Sequence, residues 1–271
     1  MGDCDLEVRI LGPVELRTAD GELRLAGRLR RALVGMLALQ VNRTVPAYQL
    51  IDGMWGEDPP ATAGAQVRRQ VSGLRGVLGG DVVATDPGGY RLDIEPERVD
   101  ARAHERLVAG ARAAAGAGDL VAAERGLAAA LDLWRGDALA DLSGTYFEAE
   151  AARLEESRLA VQEEYTELLL GQGQHRDLIG ELTALVMSHP LRERPRAQLM
   201  LALYQAGRKA EALEVYRRGC DLLADELGLE PSAEVAGLHE AMLRSDPELL
   251  SAPRSPLPHS RAASRAGAAL R

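Results

Sequence analysis

The sequence predicts a mainly α-helical protein in two parts, a small mixed α/β domain and a longer all-helical one, and three observations carry that prediction. Apolar residues alternate with polar ones at the start of the chain, then recur at helical spacing after Gly27. A helix-like stretch over 62–78 is followed by strand, turn and strand over 82–94. From Asp100 onward strand signals almost vanish, and two similar helix starts, GQHRDLIGELTAL from Gly173 and GRKAEALEVYRRG from Gly207, lie 34 residues apart. That interval is the tetratricopeptide period. Strands, three helices and a β-hairpin in that order make residues 1–97 a winged helix-turn-helix, α/β in character with N-terminal strands and a C-terminal hairpin. Residues 98–245 then read as an all-α, tetratricopeptide-like domain.

Each element has a local reason. Leu6, Val8 and Ile10 alternate with polar residues, Gly12-Pro13 breaks the run, and residues 14–17 resume it. Asp20-Gly21 before Glu22-Leu23-Arg24-Leu25 is a hairpin signal, with Gly supplying positive φ. Leu29, Leu33, Met36 and Leu37 recur at helical spacing, so 29–40 reads as an amphipathic helix. Pro46 suits the first turn of the next helix, which turns Leu50, Ile51 and Met54 inward and stops near Gly56. The stretch from Trp55 to Pro60 is a rigid turn, because two prolines and a glycine cannot continue a helix. In 62–78, Val67, Val71, Leu74 and Leu78 share one narrow stripe. Asp100 is the expected N-cap of a helix to about 117. Further helices are expected at 119–133, 146–171, 175–187, 192–206, 208–227 and 232–244. Residues 246–271, rich in Ser, Pro, Ala and Arg, read as a disordered tail.

Composition excludes several classes. Hydrophobic residues make up 46% and charged residues 27%, a globular profile. No apolar run reaches the eighteen residues of a membrane span. The opening MGDCDLEVRI has no basic-then-apolar signal pattern, so a cytoplasmic setting is expected. Cys4 and Cys220 lie far apart in no redox or metal spacing, and the five histidines form no i,i+4 pair, so no metal and no cofactor is expected. The only lysine is Lys209, so no phosphate loop exists, nor is there a G-x-S-x-G elbow. An enzyme is not expected, and no residue stands out as catalytic.

The helix 62–78 carries the best binding chemistry. Arg69 points almost directly away from the apolar stripe, among the short residues Thr62, Ala65, Ser72 and Gly76, with Gln66 on the same helix. Short neighbours let a backbone approach a DNA groove, where an arginine presents two donors to a guanine edge. Arg68 and Arg75 flank the stripe, where a groove-bound helix meets phosphates. Arg91, beside Gly88-Gly89, has two readings of equal standing: a phosphate or minor-groove contact, and a cross-strand ion pair with a neighbouring acid. Arg28, Arg30 and Arg31 cluster at a helix start, for DNA or partner contact or merely in solvent. Trp55 reads as core, leaving Glu57 and Asp58 available to a partner. Tyr146, Phe147 and Tyr165 are either groove-lining or core, and core aromatics are commoner. Net charge opposes DNA binding: −9 in all, with 11 Arg against 14 acidic residues in 1–97. Contact must come from local arginine clustering.

Taken together, RRALVGMLAL, VPAYQLIDGMWGEDPP, GGYRL, LWRGDALADL, YFEAEAARLEE, HPLRERP, LYQAGRKAEALEVYRR and DELGLEPSAEV resemble the Streptomyces antibiotic regulatory protein (SARP) family over roughly 6–245. The resemblance is to its small class, which lacks an appended ATPase module. It implies an OmpR-like winged helix and a bacterial transcriptional activation domain. It also implies a pathway-specific transcriptional activator of an antibiotic or other secondary-metabolite gene cluster. Such a protein binds direct repeats in double-stranded DNA near the −35 region as two copies and recruits RNA polymerase, partly through the sigma factor. The resemblance places the recognition helix on 62–78, the wing on 82–94 and the polymerase-facing loop on 55–60, hence Trp55, Glu57 and Asp58. Ala65 departs from the family, whose members often carry a polar residue such as Asn there, so base readout at that position differs. Two alternatives stand beside this reading: a protein–protein scaffold, and a ligand-sensing regulator using the helical domain.

Overall fold

The structure is a computed structural model that describes residues 6–250; Cys4 and the part of the expected tail beyond 250 lie outside the described residues. Strands β1 (Glu7–Arg9), β2 (Glu15–Thr18) and β3 (Gly21–Leu23) form an antiparallel sheet in that order. The register sets Val8 opposite Leu16 and Leu16 opposite Leu23. This follows from the alternation, since Val8 and Leu16 are fully buried. Helix α1 (Arg28–Leu39) follows, then the two-residue strand β4 (Val45–Pro46), α2 (Ala47–Trp55) and α3 (Ala63–Leu78). The hairpin of β5 (Val83–Asp86) and β6 (Gly89–Leu92) takes β4 as its third strand, in the order β4-β6-β5. Pro46 therefore ends a strand and precedes α2, one residue earlier than expected. The strand β4 is too short for alternation to show. It pairs because Gly89 allows the backbones to meet: a Cβ at 89 would overlap the Val45 carbonyl and stand 2.9 Å from its carbon.

Residues after 97 continue the same core. Helices α4 (Asp100–Gly116) and α5 (Leu120–Leu131) form an antiparallel pair. Val99, not Asp100, caps α4, and the Asp100 carboxylate is used elsewhere. It accepts from the Ile10 amide at 2.8 Å, the Leu11 amide at 3.0 Å and its own helix at Ala101. The segment after α5 lies along the same stretch of chain: Arg135 N donates to Leu11 O, Leu139 N to Ile10 O, and Val14 N to Asp141. Burial pushes the Asp100 carboxyl up against these bonds and the nearby Arg135. One apolar cluster accordingly runs from Leu6, Val8 and Ile10 through Leu33, Leu50 and Leu74 to Trp134, Leu139 and Phe147. Phe147, edge-on to Tyr146 at 5.3 Å, is core.

The chain divides into two compact units, Met1–Gln162 and Glu163–Arg271, and the long helix α6 (Thr145–Gly171) runs across that division. The second unit contains α7 (His175–Ser188), α8 (Glu193–Gln205), α9 (Lys209–Leu227) and α10 (Ala233–Arg244). Its core is built from Leu170, Leu182, Met200, Leu203, Ala212 and Met242 among others, with Tyr165 packed at its margin. The glycines that precede α5, α7 and α9 share one geometry. Gly118, Gly173 and Gly207 have φ of 83°, 84° and 79°, and the residue after each donates to a carbonyl five back, on Ala114, Leu169 and Leu203. This is the six-to-one bond of a Schellman turn, which satisfies the last carbonyls of one helix before the next begins. Past α10 a single 3-10 turn, Pro247–Leu250, begins the expected tail, and Leu249 O accepts from Gln205 Nε2 at 3.0 Å. No helix among the described residues is long and apolar enough to cross a membrane.

Candidate nucleic-acid interface

Helix α3 is seated by its stripe: Val67, Val71, Leu74 and Leu78 are all buried. The opposite face is open. Thr62, Ala65, Arg68, Arg69 and Ser72 are exposed, and Arg68 and Arg69 have no hydrogen bond or ion pair among the described residues. The helix carries three arginines and no acidic residue. The local charge is thus positive although residues 1–97 are negative overall. Thr62 precedes the first turn without capping it, and its Oγ1 accepts from Gln66 Nε2 at 3.1 Å, which ties two expected site residues to each other.

Arg75 stands apart from Arg68 and Arg69. Its Nε donates to the Val83 carbonyl at 2.8 Å and an Nη to Thr85 Oγ1 at 2.6 Å. The guanidinium joins α3 to the hairpin and so fixes the angle between helix and wing. Arg91 is engaged as well: it pairs with Asp86 at 3.0 Å and with Asp93 at 3.0 Å. Of its two expected readings the geometry shows the cross-strand ion pair. Thr44 Oγ1 donates to Asp86 at 2.5 Å, and this bond, with Arg91, holds the Asp86 carboxyl below the usual carboxylate range.

The N-terminal arginine cluster disperses. Arg28 reaches the Ser143 carbonyl, Arg31 pairs with Asp141 at 2.5 Å, and Arg30 lies over α3, where Gly73 leaves room for its guanidinium. Two of the three therefore bind the segment after α5 to α1. Trp55 is half-buried against the first core, whereas residues 56–60, Glu57 and Asp58 included, are exposed.

Sequence reasoning missed the support of the wing. Asn42, at φ 61°, exchanges side-chain bonds with the backbone of Ile94, and Ala47 N donates to the Gly88 carbonyl at 2.9 Å. An asparagine just after a helix end was the available signal, because Asn tolerates a left-handed backbone. Beside that contact Tyr48 is 75% exposed at the start of α2. Its place outside the Leu50, Ile51 and Met54 stripe marks it in the sequence.

Strands, three helices with an arginine-bearing third, and a hairpin braced to it define a winged helix-turn-helix protein. The model of the bacterial transcriptional activator domain matches residues 99–243. Regulatory protein DnrI of Streptomyces peucetius is 40% identical over 254 residues, covering 89% of this chain and 93% of that protein. Regulatory protein AfsR of Streptomyces griseus is 42% identical over 253 residues, 93% of this chain but only 26% of AfsR. The chain thus spans about a quarter of that relative's length. Among solved structures, Mycobacterium tuberculosis EmbR in complex with a low-affinity phosphopeptide aligns with a TM-score of 0.86 at 34% identity, over 90% of this chain and 66% of that one. This chain belongs to the bacterial transcriptional activator domain family, among the SARP regulators.

Proposed function

We propose that this chain is a DNA-binding transcriptional activator of an antibiotic or other secondary-metabolite gene cluster, acting in the cytoplasm at the nucleoid and not as an enzyme. The observation that carries the reading is the open, acid-free face of α3, with Arg68 and Arg69 unpaired among small residues. Arg69 reads a base edge in the major groove, and Arg68 meets phosphate. Thr62, Ala65, Gln66 and Ser72 line the approach, and Tyr48 stands beside the wing turn where the backbone passes. Arg75 and Arg91 set the wing, Arg75 through β5 and Arg91 through Asp86 and Asp93. The exposed loop of Glu57 and Asp58 suits a basic surface on RNA polymerase or its sigma factor. Residues 98–245 are the module for protein contact, and two copies sit head-to-tail on direct repeats.

The first experiment is binding of the purified chain to DNA flanking its own gene, at two salt concentrations and against an unrelated duplex. Tight, competitor-resistant binding that weakens with salt supports the reading. Equal binding to both duplexes at either salt sinks it. That result would favour a protein–protein scaffold, in keeping with the negative charge of residues 1–97.

A further inference from the structure

The second unit leaves apolar side chains in solvent at one of its ends. Short turns join α7 to α8 and α9 to α10, and the Ser232 amide before α10 donates to Glu193 in the first turn of α8 at 2.8 Å. Beside these turns Leu191, Leu227 and Leu229 are exposed, and Met187 is 77% exposed. The same end is acidic. Asp225, Glu226, Glu230 and Glu234 are exposed and form no ion pair among the described residues. Residues 219–243 contain no lysine or arginine. Nearby cations are already engaged, Arg208 by Glu211, and Arg217 and Arg218 by Glu214. The chain leaves α10 at the opposite end, where Lys209 donates to the Leu243 carbonyl and Ser245 Oγ, and Gln205 to Leu249.

Exposed apolar side chains among unpaired carboxylates suit a segment that is both basic and apolar. An arginine stem covers apolar surface while its guanidinium meets a carboxylate. A second copy of this end would set acid against acid, and nucleic acid would be repelled in the same way. Residues 251–271, outside the described part, have the right chemistry: Arg254, Arg261, Arg265, Arg271, Leu257 and Leu270, with no acidic residue. They also have the reach. Helix α9 has 19 residues and is about 28 Å long, whereas the 21 residues of this segment can stretch to about 70 Å. We propose that residues 251–271 dock as a strap on the acidic apolar end of the second unit, over Leu191, Leu227 and Leu229. Each surface arginine–carboxylate contact is weak by itself. Tethering offsets that weakness, because a linked segment is present at an effective concentration on the order of millimolar. The docked strap covers the apolar end and withholds its arginines from other anions. The proposal stands independently of DNA binding.

The test uses the full chain with the photo-crosslinking residue p-benzoylphenylalanine in place of Leu270. After illumination, peptide mass spectrometry locates the covalent partner, and electrophoresis separates adducts within one chain from adducts between two. Adducts within one chain are expected at Met187, Leu191, Leu227 or Leu229. Salt of about 0.5 M, where the screening length falls to about 4 Å, should lower their yield about fivefold. Neutralising the end with Asp225→Asn, Glu226→Gln, Glu230→Gln and Glu234→Gln together should lower it as far. Adducts spread over the surface, or none at all, overturn the proposal. Adducts between two chains also overturn it and assign this end to a second copy. So does a yield that salt or neutralisation leaves unchanged. Should the neutralised chain fail to fold, as judged by circular dichroism, the position of the adducts and their salt dependence decide.

Discussion

Arg69 and Arg75 leave the same helix and meet different surroundings. Arg69 has solvent, and Arg75 has the Val83 carbonyl and Thr85 hydroxyl. Their substitutions should separate accordingly. Arg69→Ala is expected to weaken specific DNA binding by about 1–3 kcal/mol without changing the melting temperature. Equal affinity of variant and parent for a true site would remove Arg69 from base readout. Arg68→Ala should lower the salt slope of binding by about one with sequence preference kept. Arg75→Ala should cost stability, by about 1–2 kcal/mol in urea unfolding, because two hydrogen bonds across α3 and β5 are lost. A stable Arg75→Ala chain with a reduced salt slope would instead return Arg75 to a phosphate-binding role.

At the scale of elements, a buried carboxylate ties α4 to the segment after β1, and a buried imidazole ties α4 to α5. Asp100→Ala leaves the Ile10 and Leu11 amides without their acceptor, and a loss of about 2–4 kcal/mol is expected in denaturant titration. His104 is 2% exposed, with Nδ1 3.0 Å from the Ala130 carbonyl and Nε2 unpartnered. Donation to that carbonyl occupies Nδ1, so the Trp134 indole N–H, 3.4 Å away, is an edge-on packing contact and not a donor to it. Protonation would bury a second, unpaired N–H, and desolvation accordingly holds His104 below its ordinary pKa. Its folded pKa is lower than its unfolded one, so its contribution is present above about 6.5 and declines as pH falls below that value. Between pH 7 and 5.5 the parent should lose stability relative to His104→Gln, by at most about 1.4 kcal/mol per pH unit. Parallel stability curves for the two chains would show that His104 titrates normally.

For the whole molecule, the division after Gln162 makes a claim about where the chain can be cut. A fragment ending at residue 97 removes Asp100, Arg135 and Asp141, which hold Ile10, Leu11, Val14 and Arg31. It also uncovers apolar surface now covered by Trp134, Leu139 and Phe147. A fragment ending at 162 keeps all of these. The longer fragment should melt cooperatively and bind DNA, and the shorter should be markedly less stable at equal concentration. Equal melting temperatures would show that residues 1–97 need nothing from α4 and α5.

The elements legible from residue order are those that depend on near neighbours. The stripe of Val67, Val71, Leu74 and Leu78 gave α3 its buried side and left Arg69 outside, because a helix repeats within a few residues. The glycine turns at 173 and 207 were legible for the same reason, since a left-handed residue marks itself locally. The SARP motifs added the order of the parts. It took the folded chain to show that Arg75 and Arg91 brace the wing, that Arg28, Arg30 and Arg31 part company, and that β4 exists. The fold alone placed Asp100 on Ile10, a contact 90 residues apart in the chain. No periodicity reports such a pair: its free energy comes from burying a carboxylate among backbone amides that only the folded chain brings together.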